Sequence, residues 1–177
     1  MSDSCGVYIL GVDMSSTGEV GCLGDDLNEA MLNSLIATGY SIPKDAVLIS
    51  SGGAKGKVSL LEPAQQLAKK GYTIYATAGT AKFFNDNGVK AVSVAWPDEE
   101  GENVMDLISQ HKVGLVINVP KNHTSRELTN GYKIRRGAID HNIPLMTNVR
   151  LAKAFIEAFT AMSENDIKIK SWQEYNN

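Results

Sequence analysis

Cysteine and histidine are too few and too scattered in this chain to build a metal centre. Cys5 and Cys22 share no ligand-like spacing with His111, His123 and His141, and two cysteines make no disulfide framework. A reducing compartment fits that usage, and a cytoplasmic location is the expectation. Long apolar runs are missing as well. None approaches the ~20 residues that cross a bilayer, and the N-terminus lacks a basic stretch followed by an apolar one. A soluble, unsecreted protein with no membrane partner is expected. Positive charge is also scarce: 17 Lys and Arg stand against 20 Asp and Glu, a formal net charge of -3. Such a surface has no general attraction for phosphate backbones, which argues against nucleic acid, so any anion must be held by local geometry. The familiar catalytic signatures are absent too. There is no Ser-His-Asp order, no HExxH and no P-loop, because SGGAKGK (Ser51 to Lys57) has the wrong spacing and no Ser or Thr after its lysine.

The chain does have enough apolar material for a core. At 177 residues and 43% hydrophobic content it suits one domain of ordinary size plus an appendage. From Ala46 onward, short β-branched runs alternate with helical periodicity, the pattern of a parallel sheet with crossover helices. Strands are expected at Ala46 to Ser50, Thr73 to Ala76, Ala91 to Val94, Gly114 to Asn118 and Pro144 to Met146. The helices between and after them are expected at Val58 to Lys70, Ala81 to Asn87, Val104 to Gln110, Tyr132 to His141 and Val149 to Met162. Five β/α units of this kind make an α/β fold, a doubly wound five-stranded parallel sheet flanked by helices. Ligands of such sheets bind where the loops after the strands gather, at the strands' C-terminal edge.

Residues 1–45 break the alternation. They read as a strand around Val7 to Val12, a polar turn, a second strand near Val20 to Leu23, and a helix from Asp26 to Thr38 with Leu27, Ala30, Met31, Ser34 and Leu35 on its inner face. This short α+β fragment (1–40) has little core of its own and must lean on something. Ser41 to Asp45 reads as a linker, 41–162 as the α/β domain, and 163–177 as a tail without an assignable role.

The binding edge carries one informative stretch, YATAGTAKF (Tyr75 to Phe83). Thr77, Ala78, Gly79 and Thr80 stand between a strand and a helix. The first N–H groups of a helix are unpaired, Gly79 lets a ligand approach, and two hydroxyls add donors, so an oxyanion suits the place. A plain helix cap at Thr80 explains the same residues. Lys55 and Lys57 sit in the preceding glycine-containing loop on the same edge, either as partners of an anion or as solvated surface groups, Lys57 being favoured because it directly precedes the helix. Trp96 offers an apolar wall in a loop otherwise acidic (Asp98, Glu99, Glu100, Glu102), which reads as solvated. Asn118 ends an apolar strand, and the polar run beyond it, Lys121 to Asn130, reads as a lid or an ordinary mobile loop. Arg135 and Arg136 fall on a helix, where surface ion pairs are expected.

These residues resemble the methylglyoxal-synthase-like domain family, in particular the branch that forms the C-terminal allosteric domain of the carbamoyl phosphate synthase large chain. The segments that carry the resemblance are STGEV (Ser16 to Val20), ATGYSIPK (Ala37 to Lys44), YATAGTAKF, VAWP (Val94 to Pro97), LVINVP (Leu115 to Pro120), YKIRRGAID (Tyr132 to Asp140) and IPLMTN (Ile143 to Asn148). The resemblance implies an effector site in which Thr77 and Thr80 hold an anion, with Gly79 between them. It places a basic residue at Lys57 and a polar strand end at Asn118. Trp96 resembles the branch activated by N-acetylglutamate, whose pocket asparagines correspond to Asn118 and Asn130. Lys121 departs from that branch, which has an asparagine there, and an extra cation suits a more highly charged effector such as a nucleotide monophosphate.

The resemblance further implies that residues 1–40 are the tail of an ATP-grasp synthetase unit and that the chain is a piece of a longer ligase. Its partners would be the synthetase domains of the same polypeptide and a glutaminase small subunit. ATP with Mg or Mn would serve the full-length enzyme in arginine and pyrimidine biosynthesis, and no cofactor would serve this fragment. The alternative is a methylglyoxal synthase acting on dihydroxyacetone phosphate. Its proton-moving carboxylates correspond to Ala54 and Pro120 here, neither of which is a base.

Overall fold

In a computed structural model, which describes residues 18, 20–120, 124–168 and 170–175, the alternation after Ala46 becomes a five-stranded, wholly parallel sheet. The strands are β1 (Ala46–Ser51), β2 (Thr73–Thr77), β3 (Val92–Val94), β4 (Leu115–Val119) and β5 (Leu145–Met146). The helices are α1 (Leu27–Ala37), α2 (Ala54–Lys69), α3 (Ala78–Asp86), α4 (Val104–Ser109), α5 (Ser125–Asp140), α6 (Val149–Ala161) and α7 (Trp172–Tyr175).

Every residue of β1 is buried, which is why its sequence is apolar without alternation. Val47 and Ile49 face one layer with Leu60, Leu67, Phe84, Phe155 and Ile156, contributed by α2, α3 and α6. Ala46 and Leu48 face the other with Val104, Leu107, Ile108 and Ile134 from α4 and α5. Each large apolar side chain buried in this way stabilises the fold by about 1.5–3 kcal/mol. The strand order is β3-β2-β1-β4-β5. The chain therefore starts in the middle, winds outward through β2 and β3, and returns on the other side of β1 as β4. Connections leave β1 and β4 toward opposite sides, and a crevice opens at their C-terminal ends.

Several boundaries differ from the sequence expectation, each for a local reason. Helix α2 begins at Ala54 rather than Val58, so Lys55 and Lys57 lie on its first turns. Gly56, a poor helix residue, is required there: a Cβ at Gly56 would stand 2.6 Å from the Ser51 hydroxyl. Helix α3 begins at Ala78, making Thr77 rather than Thr80 the residue before the first turn. Helix α5 begins at Ser125, so much of the expected loop is helical and Asn130 belongs to a helix. The start signal is Thr124, whose hydroxyl accepts from the Glu127 N–H, and Gly131 lies inside the helix instead of ending a loop.

At the N-terminal side, residues 20–23 are not a strand, and the strand expected at Val7 to Val12 lies outside the described residues. Asp26 caps α1 as expected, but the inner face is Glu29, Leu32 and Leu35, with Leu27 69% exposed. Helix α1 packs on α6, and Leu32 and Leu35 join the layer of Phe155 and Phe159. The buried Glu29 carboxylate accepts from the N–H groups of Asp25 and Lys168, while Lys168 and Lys170 pair with Asp25. The segment after Ser163 is thereby strapped to α1.

Candidate functional site

A cavity of about 440 Å³ opens over the C-terminal ends of β2, β1 and β4, at the switch point of the sheet. The register sets its floor. Ser50 stands beside Asn118 and Ser51 beside Val119, with Thr77 at the end of the neighbouring strand. Six residues singled out in the sequence meet at this cavity: Lys57, Thr77, Gly79, Thr80, Trp96 and Asn118.

Two helices start at this cavity, and neither start is covered by a side chain. Gly53 precedes α2 with φ 74° and Thr77 precedes α3, each without a side-chain capping bond. The unpaired N–H groups of α2 and α3 therefore face the crevice with their partial positive charge. Lys57 reaches from α2 to the first turn of α3, where its Nζ donates to the Gly79 carbonyl at 2.8 Å. A Cβ on Gly79 would come within 3.3 Å of that nitrogen, so glycine keeps the ammonium close to the helix start.

The two threonines have different tasks. Thr77 is buried, and its hydroxyl lies 3.3 Å from the Ser50 hydroxyl across the strand. Thr80 is occupied by the protein itself: its Oγ1 accepts from the Ser51 N–H and donates to the Ser51 carbonyl, both at 3.2 Å. It ties α3 to β1, and what it offers the cavity is its backbone N–H. The Ser51 hydroxyl is buried without a partner and lines the cavity, a donor that the sequence reading missed. Its position at the end of an apolar strand on the binding edge is the signal that marks it.

Asn118 is 3% exposed, and its Oδ1 accepts from Arg135 Nη1 at 2.8 Å. Arg135 is thus not a surface ion-pair residue, whereas Arg136 does pair with Asp140 at 2.8 Å. Asn130 is buried on α5, but it does not line the cavity. Neither of its side-chain atoms has a partner at bonding geometry, although the amide lies close enough to Asp98 to favour the ionised carboxylate. Lys121 lies outside the described residues.

Trp96 is half-buried and lines the cavity, as does Phe83. The acidic loop behind it is not simply solvated. Arg126 at the start of α5 holds Asp98 at 2.8 Å and Glu99 at 2.8 Å, and Lys112 holds Glu102 at 2.6 Å. Arg126 lowers the Asp98 pKa and its own is raised in return, chiefly through this shared hydrogen bond. The loop carrying Trp96 is clamped to α5 by charge. Glu127 is the one carboxylate among the described residues lining the cavity.

A family model described as the MGS-like domain matches residues 59–147, half of the chain, from within α2 to just past β5. The chain belongs to the MGS-like domain family. It is 39% identical over 171 residues to the multifunctional protein CAD of Squalus acanthias, covering 88% of this chain and 8% of that protein. It is 41% identical over 160 residues to the multifunctional protein pyr1-3 of Dictyostelium discoideum, with 87% and 7% covered. It is also 38% identical over 165 residues to the mitochondrial carbamoyl-phosphate synthase [ammonia] of Homo sapiens, with 90% and 11% covered. The MGS-like chain thus spans only a small part of the length of these relatives. Among solved structures it is similar to methylglyoxal synthase from Elizabethkingia anophelis NUHP1, at 14% identity and a TM-score of 0.45, covering 77% of this chain and 95% of that one.

Proposed function

We propose that this MGS-like domain is a regulatory, non-catalytic part of a carbamoyl phosphate synthase, and that it binds a small anionic metabolite in the switch-point cavity. The observation that carries the reading is the bare start of α3, with Thr77 before it and the Lys57 ammonium beside it. Helix N–H groups, a hydroxyl and a fixed cation suit an oxyanion. The cavity volume suits a small metabolite. In this reading Thr77 and the first turn of α3 hold the anion, Lys57 neutralises it, and Thr80 keeps that turn against β1. Trp96 walls the ligand, Asn118 reads a polar group on it, and Asn130 supports the site from α5 behind the cavity wall, with Lys121 proposed as an added cation for the ligand.

The named relatives support the setting. The synthetase domains, with their ATP and Mg or Mn, would lie elsewhere in the same polypeptide, and a glutaminase subunit would supply ammonia. Regulation then requires that the ligand favour one arrangement of the domains over another, a coupling of typically 1–3 kcal/mol. An N-acetylglutamate-like acid and a nucleotide monophosphate both meet the chemistry of the site.

The rival reading, a lyase acting on dihydroxyacetone phosphate, needs carboxylates placed to move protons. Ala54 and Pro120, the positions that correspond to them, both line the cavity here, so their side chains stand where a base would be wanted and supply none. Calorimetry with N-acetylglutamate, UMP, IMP and ornithine tests the proposal. One anionic compound is expected to bind, and Thr77→Ala is expected to abolish the signal. Turnover of dihydroxyacetone phosphate would overturn it.

A further inference from the structure

Two adjacent arginines on α5 do different things. Arg136 pairs with Asp140 one turn on. Arg135 forms no ion pair among the described residues, and its Nη1 donates instead to Asn118 Oδ1 at 2.8 Å. The contact depends on Gly131, one turn earlier on the same helix, where a Cβ would stand 2.9 Å from Nη1. Glycine there leaves the gap through which the guanidinium reaches the end of β4.

The chemistry of the pair is one-sided. The two ends of an asparagine side chain are nearly the same shape, so hydrogen bonds decide which way the amide faces. Arginine has five donors and no acceptor, and can satisfy only the oxygen. A flipped Asn118 would set NH₂ against N–H and leave the guanidinium without its acceptor. With Oδ1 held by Arg135, the NH₂ is the end left for the cavity that Asn118 lines.

We propose that Arg135 is the specificity-determining positioning residue of this cavity. It fixes Asn118 as a donor, so a ligand must present a hydrogen-bond acceptor at the end of β4 in addition to its anion at the start of α3. The inference rests on the reading of the cavity as an anion site. Thr77 and Asn118 are two strands apart, roughly 10 Å at the usual strand spacing. A ligand that spans them carries its anion and its acceptor on opposite ends of a small spacer, with a flat face toward Trp96.

Para-substituted phenyl phosphates have that shape, and they test the inference directly. The full chain is titrated with inorganic phosphate, with 4-nitrophenyl phosphate, whose far end only accepts, and with 4-aminophenyl phosphate, whose far end donates. Wild type is expected to bind all three, the nitro compound about fivefold or more tighter than the amino compound. Arg135→Met is expected to bring that ratio to about one while leaving the affinity for inorganic phosphate within about twofold, because the anion end is untouched. Arg135→Lys, which still donates to Oδ1, is expected to restore part of the ratio.

Gly131→Ala provides a second route if Arg135→Met fails to fold. Alanine favours the helix, yet its methyl displaces the guanidinium, and the ratio is expected to fall in a protein at least as resistant to heat. A ratio of one in wild type with phosphate still bound, or a ratio unchanged by both substitutions, overturns the inference and leaves the anion site standing. Failure of all three compounds, and of N-acetylglutamate, to bind wild type overturns both.

Discussion

The starts of helices α1 to α6 fall into two groups. Four are closed by a side chain: Asp26 accepts from the N–H of Glu29 at α1, Asn103 from Met105 at α4, Thr124 from Glu127 at α5, and Asn148 from Arg150 and Leu151 at α6. Two, α2 and α3, are left open behind Gly53 and Thr77. The open pair lines one cavity with Lys57. Capping is worth about 1 kcal/mol per helix, so leaving two neighbouring starts bare costs stability that a bound anion can restore. In the proposed reading, closed starts serve the fold and the open ones serve the ligand.

The sharpest way to break this contrast is to close an open start. Thr77→Asp places a carboxylate where the anion belongs. Affinity for inorganic phosphate is expected to fall by about 100-fold or more, since like charges a few ångströms apart repel by several kcal/mol near a protein surface. Retained phosphate binding by calorimetry would mean that the open start is not the anion position. Opening a closed start is the reverse experiment. Asn148→Ala frees the N–H groups of Arg150 and Leu151, and about 1 kcal/mol of stability should disappear from the urea denaturation curve with phosphate affinity unchanged.

A subtler change separates holding from capping. Thr77→Val keeps the shape and removes the hydroxyl, so phosphate affinity is expected to drop by about tenfold. Any shift in the denaturation midpoint is expected to come from the lost contact with the Ser50 hydroxyl, because no capping bond is broken. Unchanged phosphate affinity in this variant would remove the Thr77 hydroxyl from the anion site.

The smallest effect concerns the clamp between Arg126 and Asp98 behind Trp96. Arg126 lowers the Asp98 pKa, so the contribution of this pair is complete above the ordinary carboxylate range and is lost as pH falls through the lowered value. The pair is largely exposed, and its weight in global stability is slight. Trp96 fluorescence, read in a Trp172→Phe background, is expected to change only below the ordinary Asp range. Asp98→Asn should remove that acid step.

Much of this was legible along the chain. The β/α alternation after Ala46 and the placing of Thr77, Gly79, Trp96 and Asn118 on one edge follow from periodicity and from where ligands bind on doubly wound sheets. What misled was glycine. Gly56 and Gly131 look like loop residues in sequence, yet each sits within a helix at a close approach, to Ser51 in one case and to Arg135 in the other. The run ending at Asn130 looks like a lid because its start signal, Thr124 with Glu127 three residues on, lies within a polar stretch rich in other donors. Helix α1 presents Glu29 to the core, a face that apolar spacing cannot reveal because a carboxylate occupies it.

The sequence by itself determined the class of fold, the edge at which the cavity opens, and the residue types of the threonine-glycine turn, because these depend on periods of two and 3.6 residues and on residue type. Only the tertiary structure decided that Thr80 is spent on Ser51, that Asn130 stands outside the cavity wall, and that Arg135 donates to Asn118. Those outcomes are distances between side chains carried by different elements, and packing across the sheet, rather than spacing along the chain, sets them.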